Sequence, residues 1–263
     1  MPISFSMDIA RRDPDLLAWA AGLYEGEGSC SAYLPRRRKT YRRQMAVSQG
    51  GDPGKPPLVL LGFKAAMNGI GNITGPYRDY LFYWKTTQIE AIETIAIALW
   101  PYLGEEKRRQ YLRASALVGR ACSLDLTTPR LHTDDIERAW AAGFFDGEGS
   151  VSAGGARSEP GVYRQPSMEI PQSSALGVPD ALVRFERIVG SGSITGPHPP
   201  RNPWARLPSH RWELGGHRKV ERVAGILWPW LGSAKRSQIE WALSLVHAGL
   251  VRGAHRSAAD REA

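Results

Sequence analysis

The sequence predicts an α+β fold made of two copies of one αββαββα unit, related by a pseudo-twofold axis, and three repeated blocks carry that prediction. Trp19 to Ala32 (WAAGLYEGEGSCSA) returns as Trp140 to Ala153 (WAAGFFDGEGSVSA), with ten positions identical at an offset of 121. Gly71 to Pro76 (GNITGP) returns at the same offset as Gly192 to Pro197 (GSITGP). Leu99 to Gln110 (LWPYLGEEKRRQ) returns at offset 128 as Leu227 to Gln238 (LWPWLGSAKRSQ), so seven residues have entered the second copy around the Pro-rich stretch His198 to Pro208. Repetition over this length points to one supersecondary unit used twice.

Each unit opens with a helix that carries a start signal: Asp13 before Pro14 in the first, Thr133 before Asp134 and Asp135 in the second. Gly28 and Gly149 supply the stops. Alternating segments follow as hairpins, Ser29 to Tyr33 with Gln44 to Gln49, then Val151 to Ala153 with Ser167 to Gln172. An apolar helix is expected from Pro57 to Asn68 and from Pro179 to Val189. A second pair of strands comes next, Asn72 to Tyr77 with Tyr80 to Thr86, matched by Ser193 to Gly196 with His210 to Leu214. The last helix of each unit is split, as Gln88 to Trp100 with Glu105 to Leu117, and as His217 to Trp228 with Ser233 to His247. The units therefore span 12–117 and 133–250, with a linker at 118–132 and a polar tail at 251–263 expected to be disordered.

A chain of 263 residues with 42% hydrophobic residues and nine tryptophans has enough apolar mass for a real core. Its formal charge of +8 suits an anionic partner such as nucleic acid, and the excess is mainly in the first half, +6 up to Leu131 against +2 beyond it. Cys30 and Cys122 are the two cysteines and form neither a disulfide framework nor a zinc pattern, which favours a reducing intracellular setting, cytoplasmic, nucleoid-associated or in an organelle. No apolar signal core and no stretch of roughly 20 apolar residues is present, so no membrane association is expected.

The opening helices share a second property. Ala18, Gly22 and Gly26, and likewise Ala139, Gly143 and Gly147, recur at i, i+4 and form a stripe with almost no side chain, along which a second helix can approach backbone to backbone. Two such helices about a pseudo-twofold axis put Glu27 and Glu148 side by side, where two carboxylates repel unless a cation stands between them. The repeat thus predicts a metal site. Glu25 and Asp146, the earlier acids of the same helices, suit bonds to nearby backbone or support of the interface, and the repeated Trp19, Trp140, Trp100 and Trp228 suit the core.

The segments Ala20 to Gly28 (AAGLYEGEG) and Ala141 to Gly149 (AAGFFDGEG) resemble the LAGLIDADG motif, and the double motif in this unit order is similar to single-chain LAGLIDADG homing endonucleases over almost the whole chain. The resemblance implies a four-stranded antiparallel sheet in each unit, the two together forming a DNA-binding saddle. It implies a monomeric, site-specific double-stranded DNA endonuclease, a homing endonuclease or meganuclease of an intron or intein, which cuts a long pseudo-palindromic site by metal-dependent phosphodiester hydrolysis. The alternative is a catalytically silent nucleic-acid-binding relative, an RNA-splicing maturase or a DNA-binding regulator. In the family the acid before the last motif glycine binds the metal, which maps onto Glu27 and Glu148. A glutamine near the end of the second strand maps onto Gln49 and Gln172, and a lysine opening the last helix maps onto Lys107 and Lys235.

These residue types fit the chemistry. Cutting a phosphodiester needs an activated water, neutralised phosphate charge and help for the departing oxygen. Carboxylate oxygens suit Mg²⁺, and Mn²⁺ satisfies the same ligands. Lys107 and Lys235 stabilise developing charge in this reading, while Gln49 and Gln172 orient water; a plain strand glutamine and a solvated helix-start lysine are the bland readings. Pro171 removes a ladder donor from the strand just before Gln172. The DNA-facing candidates cluster on the hairpins: Arg36, Arg37, Arg38, Lys39, Arg42 and Arg43, then Arg78, Lys85, Arg157, Arg164, Arg201, Arg206 and Arg211. A β-ribbon fits the major groove, and a basic loop that touches only phosphate is the bland reading.

Overall fold

The computed structural model describes residues 9, 12–36, 39–120, 122–153, 165–200 and 206–247. The expectations for Arg37, Arg38, Arg157, Arg164, Arg201 and the tail at 251–263 lie outside the described residues. The first copy runs α1 (Pro14–Glu27), β1 (Gly28–Tyr33), β2 (Arg42–Gly50), α2 (Leu58–Ala66), β3 (Asn72–Tyr77), β4 (Leu81–Thr86), α3 (Ile89–Leu99) and α4 (Glu105–Leu117). The second runs α5 (Asp134–Glu148), β5 (Ser150–Ser152), β6 (Ser167–Ser173), α6 (Asp180–Val189), β7 (Ser193–His198), β8 (Ser209–Gly215), α7 (His217–Leu227) and α8 (Ser233–His247). Each copy holds one four-stranded antiparallel sheet, ordered β1-β2-β4-β3 and β5-β6-β8-β7. The fold is the predicted α+β duplication, and the seven extra residues of the second copy fall between His198 and Ser209. Among the described residues no helix is long and apolar enough to cross a membrane.

By packing, the chain divides into compact units Met1–Gly147 and Glu148–Ala263. The sequence repeat divides it at 118–132, where the described residues hold neither helix nor strand. Packing divides it later because α5 is seated on α1. The start signals work as read: Asp13 accepts the Asp15 N–H at 3.0 Å and Thr133 Oγ1 accepts the Ile136 N–H at 3.3 Å. At its other end α1 passes into β1 without a loop, the Gly28 N–H still bonding the Tyr24 carbonyl.

The α1–α5 contact is made at the two central glycines. A Cβ on Gly22 would lie 1.9 Å from the Trp140 carbonyl oxygen, and one on Gly143 would lie 1.9 Å from that of Trp19. Ala18 and Ala139 are fully buried beside them, and Gly147 packs against Leu23 and the Glu27 Cγ. Trp19 donates its indole N–H to Asp146 Oδ2 at 2.8 Å inside this contact.

The sheets explain the second repeated block. In the first copy Phe63 meets Trp84 edge-on at 4.8 Å, and in the second Phe185 meets Trp212 the same way at 4.8 Å. Each indole donates to a loop carbonyl, Ile70 at 2.8 Å and Ser191 at 3.0 Å. Gly71 and Gly192 lie against these rings with φ of +83° and +95°, and a Cβ there would meet the indole nitrogen at 2.5 Å and 2.3 Å. Only glycine satisfies both the backbone sign and the space. Of the four repeated tryptophans read as core, Trp19, Trp100 and Trp140 are buried, whereas Trp228 is half-buried beneath the Arg236 guanidinium, 5.5 Å from its ring.

Pro171 stays within β6 because of where its missing donor points. The bonds from Gly216 N–H to Pro166 and from Ser174 N–H to Pro208 make the even-numbered residues of β6 the hydrogen-bonded pairs with β8. Odd-numbered residues therefore direct their N–H toward β5, and β5 stops opposite Glu169. At Pro171 that side has no ladder left to break.

Strand alternation separates each sheet into a helix-covered face and an open face. On β2, Arg43, Met45 and Val47 are buried beneath the helices, while Arg42 faces the open side. Arg43 was expected on the DNA-facing surface, and the structure corrects this. It is 4% exposed, donates to Ser115 Oγ, lies 3.3 Å from Glu93 and stacks 4.9 Å over the Tyr111 ring. The opposite parity of its neighbour Arg42 is the physical reason. Arg36, Lys39, Arg42, Arg78 and Arg206 are exposed, and Arg78 sits at φ +51° in the tight turn joining β3 and β4.

Three outcomes follow from this packing. Gly22→Ala should lower unfolding free energy by about 3 kcal/mol or more, because backbone atoms cannot yield, whereas Gly225→Ala in α7, where the added Cβ meets open space, should raise it by about 0.5–1 kcal/mol; urea titrations separate the two. Arg43→Gln should cost about 2 kcal/mol by the same measurement and Arg42→Gln under about 0.5 kcal/mol. Burial pushes the Cys30 thiol from 9.0 up to about 12 against the opposing pull of Arg43, and burial pushes Tyr111 from 10.0 up to about 12. Both groups stay protonated in the folded chain while their unfolded counterparts ionise, so stability is complete below those ordinary values and is lost as pH rises toward about 12. Denaturant midpoints should begin to fall near pH 9.0, and Cys30→Ala should defer the onset to near 10.0.

Candidate functional site

Glu27 is the last residue of α1, half-buried, where the helix dipole is itself negative. Two donors from the end of β2 hold it: Gln49 Nε2 donates to Oε1 at 3.0 Å and Ser48 Oγ to Oε2 at 3.4 Å. Gln49 Nε2 also donates to the Gly147 carbonyl at 3.0 Å, tying the strand to α5. Sequence reasoning singled out Gln49 and missed Ser48, although the adjacent Ser-Gln pair at a strand end was the available signal. These donors are neutral, so they orient the carboxylate without cancelling its charge. Among the described residues no group of three or more His, Cys, Asp and Glu side chains gathers to hold a metal. An oriented carboxylate fits a hard divalent ion that takes its remaining oxygens from water and phosphate.

The lysines repeat one geometry in both copies. Lys107, in the first turn of α4, donates Nζ to the Gly28 carbonyl at 2.5 Å, and Lys235, in the first turn of α8, donates Nζ to the Gly149 carbonyl. In each copy the ammonium therefore stands on the carbonyl of the residue that directly follows the candidate metal acid, Glu27 or Glu148. Lys107 also lies 5.9 Å over the Tyr24 ring, whose hydroxyl burial holds well above 10.0. Gln110, one turn on from Lys107, accepts the Cys30 N–H at 3.0 Å and so anchors β1 to α4.

Glu148 is the half-buried last residue of α5. Gln172 lies on β6 opposite His210, as Gln49 lies on β2 opposite Phe82, and the equivalence of Trp84 with Trp212 two residues on makes the glutamines register counterparts. The earlier acids have structural partners: Glu25 accepts the Gly104 N–H at 2.7 Å, fixing the start of α4, and Asp146 accepts the Trp19 indole.

The open faces of the two sheets differ. The first carries Tyr33, Arg42, Gln44, Ser48, Tyr83, Lys85, Asn72 and Thr74, with Lys85 5.9 Å over the Tyr77 ring. The second carries Arg211 between Glu169 and Glu213, 3.3 Å from each. Arg211 thus occupies the expected face with its charge already engaged, a state that the bare sequence did not reveal because Glu169 is distant along the chain.

No protein-family model and no curated protein matches the sequence. Solved structures do match over nearly all of it. The LAGLIDADG homing endonuclease I-GzeII, solved in complex with its DNA target, superposes with a TM-score of 0.61 at 12% identity, covering 93% of this chain and 96% of its own. The LAGLIDADG meganuclease I-AabMI, bound to uncleaved DNA, gives 0.64 at 13% identity over 91% and 94%. The I-SmaMI LAGLIDADG homing endonuclease, bound to cleaved DNA, gives 0.57 at 14% identity over 91% of each chain. In element order, sheet order and likeness along its length, this chain has the fold of the single-chain LAGLIDADG homing endonucleases.

Proposed function

We propose that the chain is a site-specific double-stranded DNA endonuclease that hydrolyses phosphodiesters with a divalent metal, Mg²⁺ or Mn²⁺, held by Glu27 and Glu148. The observation that carries this reading is the duplicated placement of Lys107 and Lys235 on the carbonyls of Gly28 and Gly149, one residue beyond each acid. A protein that only binds DNA has no use for an ammonium seated on the carbonyl one residue beyond an acid in both copies. The neighbours that share the fold were solved with DNA, and the open polar sheet faces with Arg42 and Lys85 supply the donors that a duplex requires.

A bound divalent ion would lower the pKa of a water and offset charge on the phosphate. The residues of this chain supply the rest. Gln49 and Ser48 fix the Glu27 carboxylate so that its lone pairs have one direction, and Gln172 is the register counterpart in the second copy. An ammonium pinned to a carbonyl has a fixed position, so its charge acts without first reorganising. Two acid–lysine pairs suit two strands, one cut by each.

Incubation with a randomised duplex library and Mg²⁺, followed by sequencing of cut ends, tests the proposal. The wild-type chain should yield one enriched cut site, EDTA should stop cutting, and Glu27→Gln or Glu148→Gln should remove double-strand cleavage. Lys107→Met should lower the cutting rate by about 100-fold or more with binding retained. Full cleavage by Glu27→Gln would overturn the metal assignment, and a wild-type chain that binds one sequence without cutting would make it a DNA-binding regulator.

A further inference from the structure

Matched registers let the two open faces be compared position by position. Ser48 pairs with Tyr83 where Pro171 pairs with Arg211, and Ala46 pairs with Lys85 where Glu169 pairs with Glu213. At one place in the fold the first copy has a lone lysine beside an alanine, and the second has two carboxylates directly opposed. Like charges at that spacing weaken a strand pair. Arg211 relieves the repulsion by placing one nitrogen, Nη1, 3.3 Å from an oxygen of each glutamate. The glutamate side chains still remain 44% and 45% exposed on the uncovered face, while that of Arg211 is only 16% exposed.

Resting on the DNA reading above, we propose that this register position reads one base pair in each half-site with opposite sense: Lys85 selects guanine, and Glu213 with Glu169 selects cytosine. A carboxylate on a DNA-facing sheet repels phosphate, so it is not a backbone contact. It is acceptor-only and needs an amino group on a base edge. Cytosine presents its N4 amino donor alone, whereas adenine sets the N7 acceptor beside its amino group, where it opposes a carboxylate. Arg211, held between the glutamates, is a donor suited to the O6 and N7 acceptors of the guanine in the same pair. Lys85 has the reverse chemistry, a donor without an acceptor, and matches guanine directly. The half-sites of the target should therefore break their pseudo-palindrome at this position.

Selection of bound duplexes from a randomised library tests the inference through the recovered motif rather than through cutting. Glu213→Lys should replace cytosine by guanine at one position, Glu213→Gln should replace it by adenine, and Lys85→Glu should replace guanine by cytosine at the related position of the other half. Each change should exceed about tenfold in preference. Glu213 is exposed enough to tolerate substitution, and circular dichroism melts identify any variant that fails to fold, leaving the others as the test. A motif unchanged in Glu213→Lys and Glu213→Gln, with DNA still bound, overturns the inference and leaves the endonuclease reading standing. A wild-type chain that enriches no sequence overturns the DNA reading and this inference with it.

Discussion

The backbone contact between α1 and α5 at Gly22 and Gly143 is the constraint on which the remaining site geometry depends. With carbonyl oxygens occupying the space of the missing Cβ atoms, the helices have no freedom to slide by a turn without collision. That fixes Gly147 beside Glu27, and only then does one amide, Gln49 Nε2, reach both the Gly147 carbonyl and the Glu27 carboxylate. The buried bond from Trp19 to Asp146 ties the same two helices together. Burial of an unpaired indole N–H or carboxylate is costly, so each makes the other permissible.

Duplication has kept two kinds of feature and released a third. The Phe–Trp pair with its glycine is the same in both sheets because an indole leaves no alternative residue beneath it. The lysine on the post-acid carbonyl is the same because it joins the start of a helix to the end of another, a fixed distance in either copy. The open sheet faces are under no such packing constraint. There Lys85 occupies the register position that Glu213 holds in the other copy, and Tyr83 the position of Arg211. Two copies of one scaffold thus present different chemistry without any change of backbone pairing.

The fold was legible because periodicity and punctuation repeat: the same Asp or Thr start, the same Gly stop, the same Gly-x-Ile-Thr-Gly-Pro strand. Gln49, Lys107 and Lys235 were legible for a related reason, since each occupies a matching place in both copies. Arg43 was not, because it lies in a basic run where charge suggests solvent, and only the partners Glu93, Ser115 and Tyr111 disclose that it faces inward. Alternation against Arg42 held the information; the charge of the run obscured it. Pro171 poses the reverse difficulty, as a residue that looks disruptive in sequence becomes harmless once β5 is known to stop opposite Glu169. Trp228 misleads through its repeat partner, because Trp100 has the linker over it, donating its indole to the Asp125 carbonyl, whereas Trp228 has Arg236 above its ring.

The position of Glu27 brings these constraints to one atom group. A carboxylate at a helix C-terminus faces an unfavourable dipole, and half-burial removes part of the water that would offset it. A structure selected only for stability would place a basic or neutral residue there, since α1 has no basic residue in its last turn to compensate. Instead Ser48 and Gln49 donate to the two carboxylate oxygens from the end of β2, and Lys107 stands on the Gly28 carbonyl one residue on. Neutral hydrogen bonds from the end of β2 to each oxygen fix the direction of this carboxylate at a helix end where the dipole alone disfavours it.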